Sequence, residues 1–478
     1  MTDTAALARG VVVAGIAGAR LAGDFPRFGG YLLFAREATL AEVRALTDEL
    51  RARDGEALIA IDQEGGRVAR LHEGVEPMPP MMALGAADDL ELARRAGQQT
   101  AFDLRRAGCT LDFAPVLDLA LDPRNTVIGT RSFGADPQRV AELGAAFGRG
   151  LHDGGILSCY KHFPGHGSTA VDSHEALPMI EAAEATLRER DLVPFAAVAR
   201  QAPAMMSAHV MAREFDALYP ATLSQRIATA LLREELGFRG ALATDCLEMN
   251  AVARRGAEAN AVEALAAGAD LLVFSHDLGA ANDAVAAIVA AVDRGRLLSA
   301  RLEEAFTRVQ TLRQAGSQPL PLDTFPPHPG LGREIARRAV TLLRGIAHAD
   351  PLASIAVSFG GTAATLDREA PAMETLDVPI APNETEVRGI LDALARSQRR
   401  AILLARRAHL YPQQAAAIGD ILQRYPDALV VSLLEPFDVG LFASARHLVA
   451  AYGDDEASIG GLADVLFGAS LPAGTLPI

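Results

Sequence analysis

The chain lacks several features that define common protein classes. It has three cysteines among 478 residues, a sparse and odd set that argues against a disulfide framework and indicates a reducing compartment. Its first residues, MTDTAALARGVVVAG, contain no basic region of the kind that opens a secretory signal, and no apolar run is long enough to span a bilayer. The sequence therefore predicts a cytoplasmic protein without a membrane partner.

Basic residues are also in the minority. Lysine and arginine total 45 against 60 acidic residues, and the resulting net charge of −15 argues against a nucleic-acid partner. Half of the residues are hydrophobic and 22% are charged, as in globular proteins. The length is comfortable for two domains. The oligomeric state does not follow from these quantities.

Up to residue 316, eight short apolar runs alternate with longer amphipathic segments. Apolar strands in alternation with helices predict a parallel sheet that is covered on both faces. Eight such units fit a (β/α)8 TIM barrel better than the alternative, an open doubly wound sheet. One of the helices, TLSQRIATALLREELG, is predicted to begin at Thr222 and to end at Gly237. The apolar runs begin at Gly10, Gly29, Ala57, Leu111, Ile156, Ala202, Gly240 and Ala269.

Polar residues stand at the carboxyl ends of these predicted strands or just beyond them. A solvated turn explains one such residue, but it does not explain several that converge on one face. In a barrel, this end is where the βα loops gather the active site. The residues are Asp62, Asp118, Lys161, His162, His209, Asp245 and His276.

A proline-rich stretch divides the chain. GSQPLPLDTFPPHPG, residues 316–330, contains five prolines and is typical of an inter-domain linker. Beyond it, strand-like runs such as SIAVSF, RAILLAR, ALVVSLLEP and HLVAAY alternate with helical segments. We therefore predict a catalytic barrel over residues 1–316, a linker over 317–330 and a smaller three-layer α/β sandwich over 331–478.

The most unusual segment is SCYKHFPGHGSTAVDSHEALP, residues 158–178, which crowds titratable side chains beside glycines. A zinc site would need His162 and His166 on one helix, and Pro164 breaks such a helix. A solvated loop is the second interpretation. The third is acid–base catalysis, because a carboxylate at Asp172 is close enough to orient His174 and to stabilise its protonated form.

A histidine that donates a proton needs a nucleophile or an activated water opposite it. Asp245, in ALATDCLEM, is the best candidate because it is a lone carboxylate at the end of an apolar strand. The alternative is that Asp245 caps the helix that follows.

Four motifs together resemble glycoside hydrolase family 3: KHFPGHGSTAVDSHEALP, IDQEGGRVARL, FAPVLDLALDPRNTVIGTRSFG and TDCLEM. Within that family they are most similar to the bacterial β-N-acetylhexosaminidases of cell-wall recycling. GGYLLFARE and the final AAYGDDEASIGGLADVLFGASLPAGTLPI resemble the same family, so the resemblance covers nearly the whole chain. The D-S-H ending of the histidine loop separates this branch from the β-glucosidases.

The resemblance implies a retaining glycosidase that removes terminal β-N-acetylglucosamine from a small carbohydrate substrate. It implies that Asp245 is the nucleophile and that His174, paired with Asp172, is the acid/base. It implies no metal and no organic cofactor. The side chains that it assigns to the sugar are Asp62, Arg70, Arg131, Lys161 and His162.

The sequence also departs from the family pattern. Cys246 stands where many relatives carry a second aspartate, which puts the local field on Asp245 in doubt, and Thr244 replaces a frequent serine. Glu435, in LLEPFD, ends a strand-like run of the second domain without matching an acid/base motif. A β-glucosidase or β-xylosidase would take its acid from that domain. A phosphorylase would share every motif named here, and a non-catalytic sugar-binding protein is the remaining alternative.

Overall fold

Eight parallel strands form the first sheet, which curls into a nearly closed barrel. The computed structural model describes residues 3–18, 20–21, 25–169, 177–252, 256–318, 320–321, 324–468 and 470–478. The strands are β1 Val12–Ala17, β2 Gly30–Phe34, β3 Leu58–Ile61, β4 Leu111–Asp112, β5 Leu157–Phe163, β6 Ala204–Ser207, β7 Ala241–Thr244 and β8 Leu272–Phe274. Their order is β8-β1-β2-β3-β4-β5-β6-β7, and one bridge from Ala243 to Leu271 joins β7 to β8. The predicted (β/α)8 barrel is confirmed.

Helices surround this sheet, and several begin at a residue whose side chain caps them. Thr39 forms a capping box with Glu42 at the start of Leu40–Arg53, and Asp89 and Asp136 cap the helices that follow them. The α-helices of this part are Thr4–Gly10, Leu40–Arg53, Met81–Ala87, Leu90–Ala107, Pro137–Asp153, Glu184–Thr186, Val193–Val198, Ala257–Ala267, Leu278–Asp293 and Ser299–Gly316.

The helix predicted to begin at Thr222 begins later. Ala221–Leu223 is a short 3-10 turn, and a π-type helix then runs over Arg226–Glu235. The Thr222 hydroxyl does not cap it; this hydroxyl donates instead to the Ala208 carbonyl, at 2.9 Å. The prediction of the start was wrong because tertiary contacts of a buried threonine compete with its capping role.

A six-stranded sheet forms the second domain. Apolar residues of β10 alternate between two separate cores, with Ala356 in one and Ile355 in the other, so helices cover both faces of the sheet. The strands are β9 Thr341–Arg344, β10 Ser354–Phe359, β11 Glu374–Val378, β12 Arg400–Ala405, β13 Leu429–Ser432 and β14 His447–Ala450, in the order β9-β14-β13-β12-β10-β11. The helices are Leu331–Ala339, Ala363–Glu369, Glu384–Ser397, Pro412–Arg424 and Glu456–Leu466. This is the predicted sandwich; the limits of the two domains stay a prediction.

The two sheets are joined by direct contacts. Helix Leu331–Ala339 contacts the barrel through an ion pair from Arg338 to Asp89, at 2.7 Å. Near the end of the chain, the Thr475 N–H donates to the Ala86 carbonyl at 2.9 Å. Among the described helices, none combines the length and the apolar composition that a membrane crossing requires.

A buried carboxylate supports the seam between β7 and β8. Asp270, which is 0% exposed, accepts hydrogen bonds from the Leu242 N–H at 3.0 Å and from the Arg233 guanidinium at 2.5 Å. Arg301 and Arg308 contact its other oxygen at 2.6 and 3.2 Å. The side chain of Asp270 therefore adds to the backbone hydrogen bonds between the two segments, such as that from the Thr244 N–H to the Leu271 carbonyl at 2.9 Å.

Replacing Asp270 with alanine should lower the free energy of unfolding by about 3–5 kcal/mol, because a buried cluster of arginines loses its counter-charge. Urea denaturation measures the change. The matched control is Asp293→Ala, at an exposed aspartate, which should change stability by less than about 0.5 kcal/mol. Equal stability of the two variants would contradict the role given to Asp270.

Candidate active site

The carboxyl ends of the barrel strands surround a cleft of about 590 Å³. Six of the predicted site residues line it: Asp62, Arg70, Arg131, Lys161, His162 and Asp245. The other two, Asp172 and His174, lie outside the described residues. The parallel strands bring these six together because each residue follows, or ends, a strand of the same barrel.

A buried carboxylate that sequence reasoning missed, Glu64, holds two of the predicted residues. Its oxygens accept two hydrogen bonds from the Arg131 guanidinium, both at 2.7 Å, and contact the Lys161 ammonium at 2.6 Å. Lys161 also donates to Asp62 at 2.8 Å, and Arg70 reaches the second oxygen of Asp62 at 3.4 Å. Three cations and two carboxylates therefore form one connected wall of the cleft.

The opposite charges in this wall keep one another ionised. Burial alone would raise the pKa of Glu64, but Arg131 and Lys161 hold it well below its usual range. Burial alone would lower the pKa of Lys161, but Asp62 and Glu64 raise it above its usual value. Both groups therefore stay ionised at neutral pH, and the wall presents strong donors and acceptors to the cleft.

Asp118 fixes the ring of His162. It accepts a hydrogen bond of 2.6 Å from Nδ1 of His162 and another of 2.6 Å from the backbone N–H of His166. Burial would raise the pKa of Asp118, but the neighbouring His162 lowers it, so the carboxylate is an acceptor and Nδ1 carries the proton. Nε2 of His162 then faces the Arg131 guanidinium at 3.5 Å.

Asp245 follows β7 and is ionised. The Cys246 N–H donates to its Oδ1 at 2.7 Å, and burial, which would raise its pKa, is outweighed by His209 and His162, which lower it. The helix-cap alternative is wrong, because the next helix in the described residues is Ala257–Ala267. Burial raises the pKa of the Cys246 thiol to about 11, so this residue adds no charge beside Asp245.

His209 supports the loop that carries Asp245. It is 0% exposed, and its Nε2 donates to the Cys246 carbonyl at 2.9 Å. Its Nδ1 lies 2.9 Å from the Thr222 hydroxyl. The position of His209 at a strand end was visible in the sequence, but its partners come from two other loops.

Phe34 and Glu248 also line the cleft, although neither was predicted as a site residue from the sequence. The Phe34 ring lies 5.1 Å from the His276 ring and 5.1 Å below the Arg70 guanidinium carbon. Glu248 accepts a hydrogen bond from the Asp277 N–H at 2.8 Å and so holds the loop after β8. The signal for Glu248 was its place in TDCLEM, three residues after Asp245.

Glu435 does not line the cleft. It is 3% exposed and accepts two hydrogen bonds of 2.7 Å from the Arg407 guanidinium. Burial would raise its pKa, but Arg407 lowers it, and a carboxyl that is held ionised is a poor proton donor. A glutamate acid from the second domain, as the β-glucosidase alternative requires, therefore finds no support at this residue.

The buried carboxyl of Asp112 differs from Glu64 in the direction of its pKa shift. Asp112 is 0% exposed, accepts a hydrogen bond from the Gln63 N–H at 3.0 Å, and has no partner for Oδ2 among the described residues. Burial raises its pKa well above the usual value, and the attraction of Lys161 does not offset this. Asp112 is therefore protonated over much of the acidic range, whereas Glu64 is ionised there.

Comparison with known proteins identifies relatives over the whole chain. The family model described as "Glycosyl hydrolase family 3 N terminal domain" matches residues 25–312. A β-hexosaminidase of Pseudomonas aeruginosa is 42% identical over 266 residues, which are 55% of this chain and 80% of the relative. A family 3 β-N-acetylglucosaminidase from a Paenibacillus species superposes with a TM-score of 0.90 at 33% identity, over 100% of this chain and 98% of the other. A Neisseria gonorrhoeae protein, solved in complex with N-trifluoroacetyl-D-glucosamine, superposes with a TM-score of 0.53 at 32% identity, over 64% of this chain and 98% of its own.

The raised pKa of Asp112 predicts how stability depends on pH. A carboxyl of this kind contributes stability below its unfolded pKa of about 3.9, and the contribution is lost as pH rises through its folded pKa. Asp112→Asn mimics the protonated form, so its Tm relative to the wild type should increase between pH 4 and pH 8. Asp283→Asn, at an exposed site, should show no such trend. A Tm difference for Asp112→Asn that does not change with pH would contradict the assignment.

Proposed function

Since the chain belongs to glycosyl hydrolase family 3, we propose that it is a retaining β-N-acetylhexosaminidase with Asp245 as its nucleophile. It is a glycosidase, as its β-hexosaminidase relatives are. The observation that carries the proposal is the cleft itself. An ionised aspartate lines the same cleft as the charged wall, in a chain that matches a family 3 β-N-acetylglucosaminidase over its whole length.

In the first step, Asp245 attacks the anomeric carbon and forms a glycosyl-enzyme. The low pKa of this residue keeps the carboxylate available, and the Cys246 N–H orients it through Oδ1. In this proposal the other oxygen, Oδ2, attacks the sugar. Water then hydrolyses the ester, so the product keeps the β configuration.

The proton that the leaving oxygen needs comes from His174 in this proposal. Asp172 orients the imidazole and stabilises its charged form. After the aglycone departs, His174 accepts a proton from the incoming water, as microscopic reversibility requires. This assignment is supported by the D-S-H motif and by the ionised state of Glu435, which leaves that carboxyl unsuited to the task.

The hydroxyl groups of the sugar bind to the charged wall. Asp62 accepts from hydroxyls, while Arg70, Arg131 and Lys161 donate to them, and Nε2 of His162 adds one further polar contact. The ion pairs hold these groups in place before the substrate arrives. Their contacts to the sugar can therefore strengthen as the ring distorts, without a cost for ordering the side chains.

The proposed substrates are muropeptide fragments of the cell wall or chitooligosaccharides with a terminal β-N-acetylglucosamine, and the proposed setting is the cytoplasm. Hydrolysis of 4-nitrophenyl β-N-acetylglucosaminide, compared with the corresponding glucoside, tests the sugar. Product analysis in phosphate and in phosphate-free buffer tests the reaction. Glycosyl phosphate as the main product would make the protein a phosphorylase instead.

Asp245→Asn should reduce kcat by about 10³-fold or more without affecting folding, because the covalent step loses its nucleophile. A 2-fluoro glycosyl fluoride should label Asp245 in the wild type, and peptide mass spectrometry locates the label. Asp62 and Glu248 also line the cleft and serve as internal controls. A label on either of them would overturn the assignment.

His174→Ala should slow substrates with poor leaving groups far more than a nitrophenyl glycoside, which departs with little protonation. Asp172→Asn should cause a milder loss of the same kind. The matched control is His162→Ala, which should weaken both substrate types alike because its sugar contact does not depend on the leaving group. Steady-state kcat/KM values for the two substrate types measure this; equal losses in His174→Ala would refute the acid/base role.

A further inference from the structure

A second cavity, of about 250 Å³, lies between the barrel and the sandwich. It adjoins the cleft across the turn 126–131. Val68 and Val127 line the cleft, whereas the neighbouring Arg67 and Thr130 line the second cavity. From the sandwich, Arg406, Arg407, Tyr411 and Asp454 line it.

The cavity lies at the position where open α/β sheets bind their ligands. β10 pairs with β11 on one side and with β12 on the other, and β12 in turn pairs with β13. The connection after β10 therefore runs to one side of the gap between β10 and β12, and the connection after β12 runs to the other side. Arg406 and Arg407 follow the carboxyl end of β12, and Arg406 donates across the gap to the carbonyl of Gly360, beyond β10, at 2.7 Å. Ligands of such sheets occupy the crevice at this topological switch point.

Positive charges outnumber negative charges among the side chains that line the cavity. Arg407 is paired with Glu435 at 2.7 Å, and Arg406 forms an ion pair with Asp454. Arg67 instead donates to backbone carbonyls, those of Thr126 and Val127 at 2.7 Å, and pairs with no carboxylate among the described residues. Desolvation and repulsion from Arg131 and Arg407 lower the pKa of Arg67 to about 10, against the attraction of Glu435 and Glu64, although part of the Arg67 side chain is exposed to solvent.

We infer that this cavity binds one oxyanion, a carboxylate or a phosphate group, whose charge neutralises Arg67. Besides Arg67, two donors are available: Nη1 of Arg407 and the Tyr411 hydroxyl have no hydrogen-bond acceptor among the described residues. A planar guanidinium suits both anions because it presents parallel N–H donors. The anion has two possible sources. One is a carboxylate on the aglycone of the substrate, and this source rests on the proposed function. The other is free phosphate, which is independent of the proposed function.

The first experiment tests the site without reference to activity. Inorganic phosphate should raise the Tm of the full-length protein more than sodium chloride does at equal ionic strength, because a ligand that binds only the folded state stabilises it. Arg67→Met should abolish this phosphate-specific shift, Arg67→Lys should retain part of it, and Tyr411→Phe, which removes a single hydroxyl, should reduce it. The control is Arg294→Met, at an exposed arginine that does not line the cavity.

The second experiment identifies the source. KM is measured for two disaccharides, the neutral β-1,4-linked dimer of N-acetylglucosamine and its counterpart that ends in N-acetylmuramic acid, which carries a carboxylate. If the aglycone supplies the anion, Arg67→Met should raise the KM of the acidic disaccharide by about tenfold relative to the neutral one, as the loss of one charge-assisted hydrogen bond does. An unchanged ratio together with a phosphate-specific Tm shift identifies free phosphate.

The inference is overturned if neither the phosphate-specific Tm shift nor a charge-selective change in KM is found. Arg67 also holds the turn that leads to Arg131, so a purely structural effect of its loss would change both disaccharides alike and leave their ratio unchanged. If Arg67→Met does not fold, Tyr411→Phe and Arg67→Lys give the same comparison. Hydrolysis of the neutral disaccharide by the wild type reports separately on the proposed function.

Discussion

The geometry of the cleft depends on one buried carboxylate. Arg131 comes from the loop after β4 and Lys161 from β5, and their charges would repel each other if Glu64 did not lie between them, with contacts of 2.7 and 2.6 Å. Removing one member of such a buried cluster leaves an uncompensated charge that costs about 3–5 kcal/mol. The cluster therefore fixes the donors in place before substrate binds. The positions of Asp62 and Arg70 follow from it, since Asp62 bridges Lys161 and Arg70.

The second domain contributes to this geometry through its contacts with the barrel. The turn Gly129–Arg131 carries Arg131, and Glu435 of the sandwich accepts a hydrogen bond from its Thr130 N–H at 3.3 Å. His409 of the sandwich lies 3.0 Å from the Pro123 carbonyl, earlier in the same loop of the barrel. The sandwich thus supports the loop that supplies a cation to the cleft, although Glu435 itself is outside the cleft.

The sequence predicted the barrel because its strands are buried on both faces and therefore appear as unbroken apolar runs, as LIAI in β3 does. It did not reveal β11, Glu374–Val378, whose residues are half exposed and show no such run. Asp62, Lys161 and Asp245 were recognisable because polar residues at the ends of apolar strands are conspicuous. Glu64, Glu248 and Asp112 were not recognised, because their roles depend on partners that are far away in the sequence.

The close contact between Gly129 and Glu435 couples the evolution of one position in the barrel to that of one position in the sandwich. Gly129 has a φ of +47°, and a Cβ atom at this position would lie 1.9 Å from Oε1 of Glu435. A larger residue at 129 is therefore compatible only with a shorter residue at 435, so the two positions should covary among homologues that keep both domains. In a homologue that had lost the sandwich, position 129 would be released from this steric requirement, and the turn that carries the arginine would have to be supported in some other way.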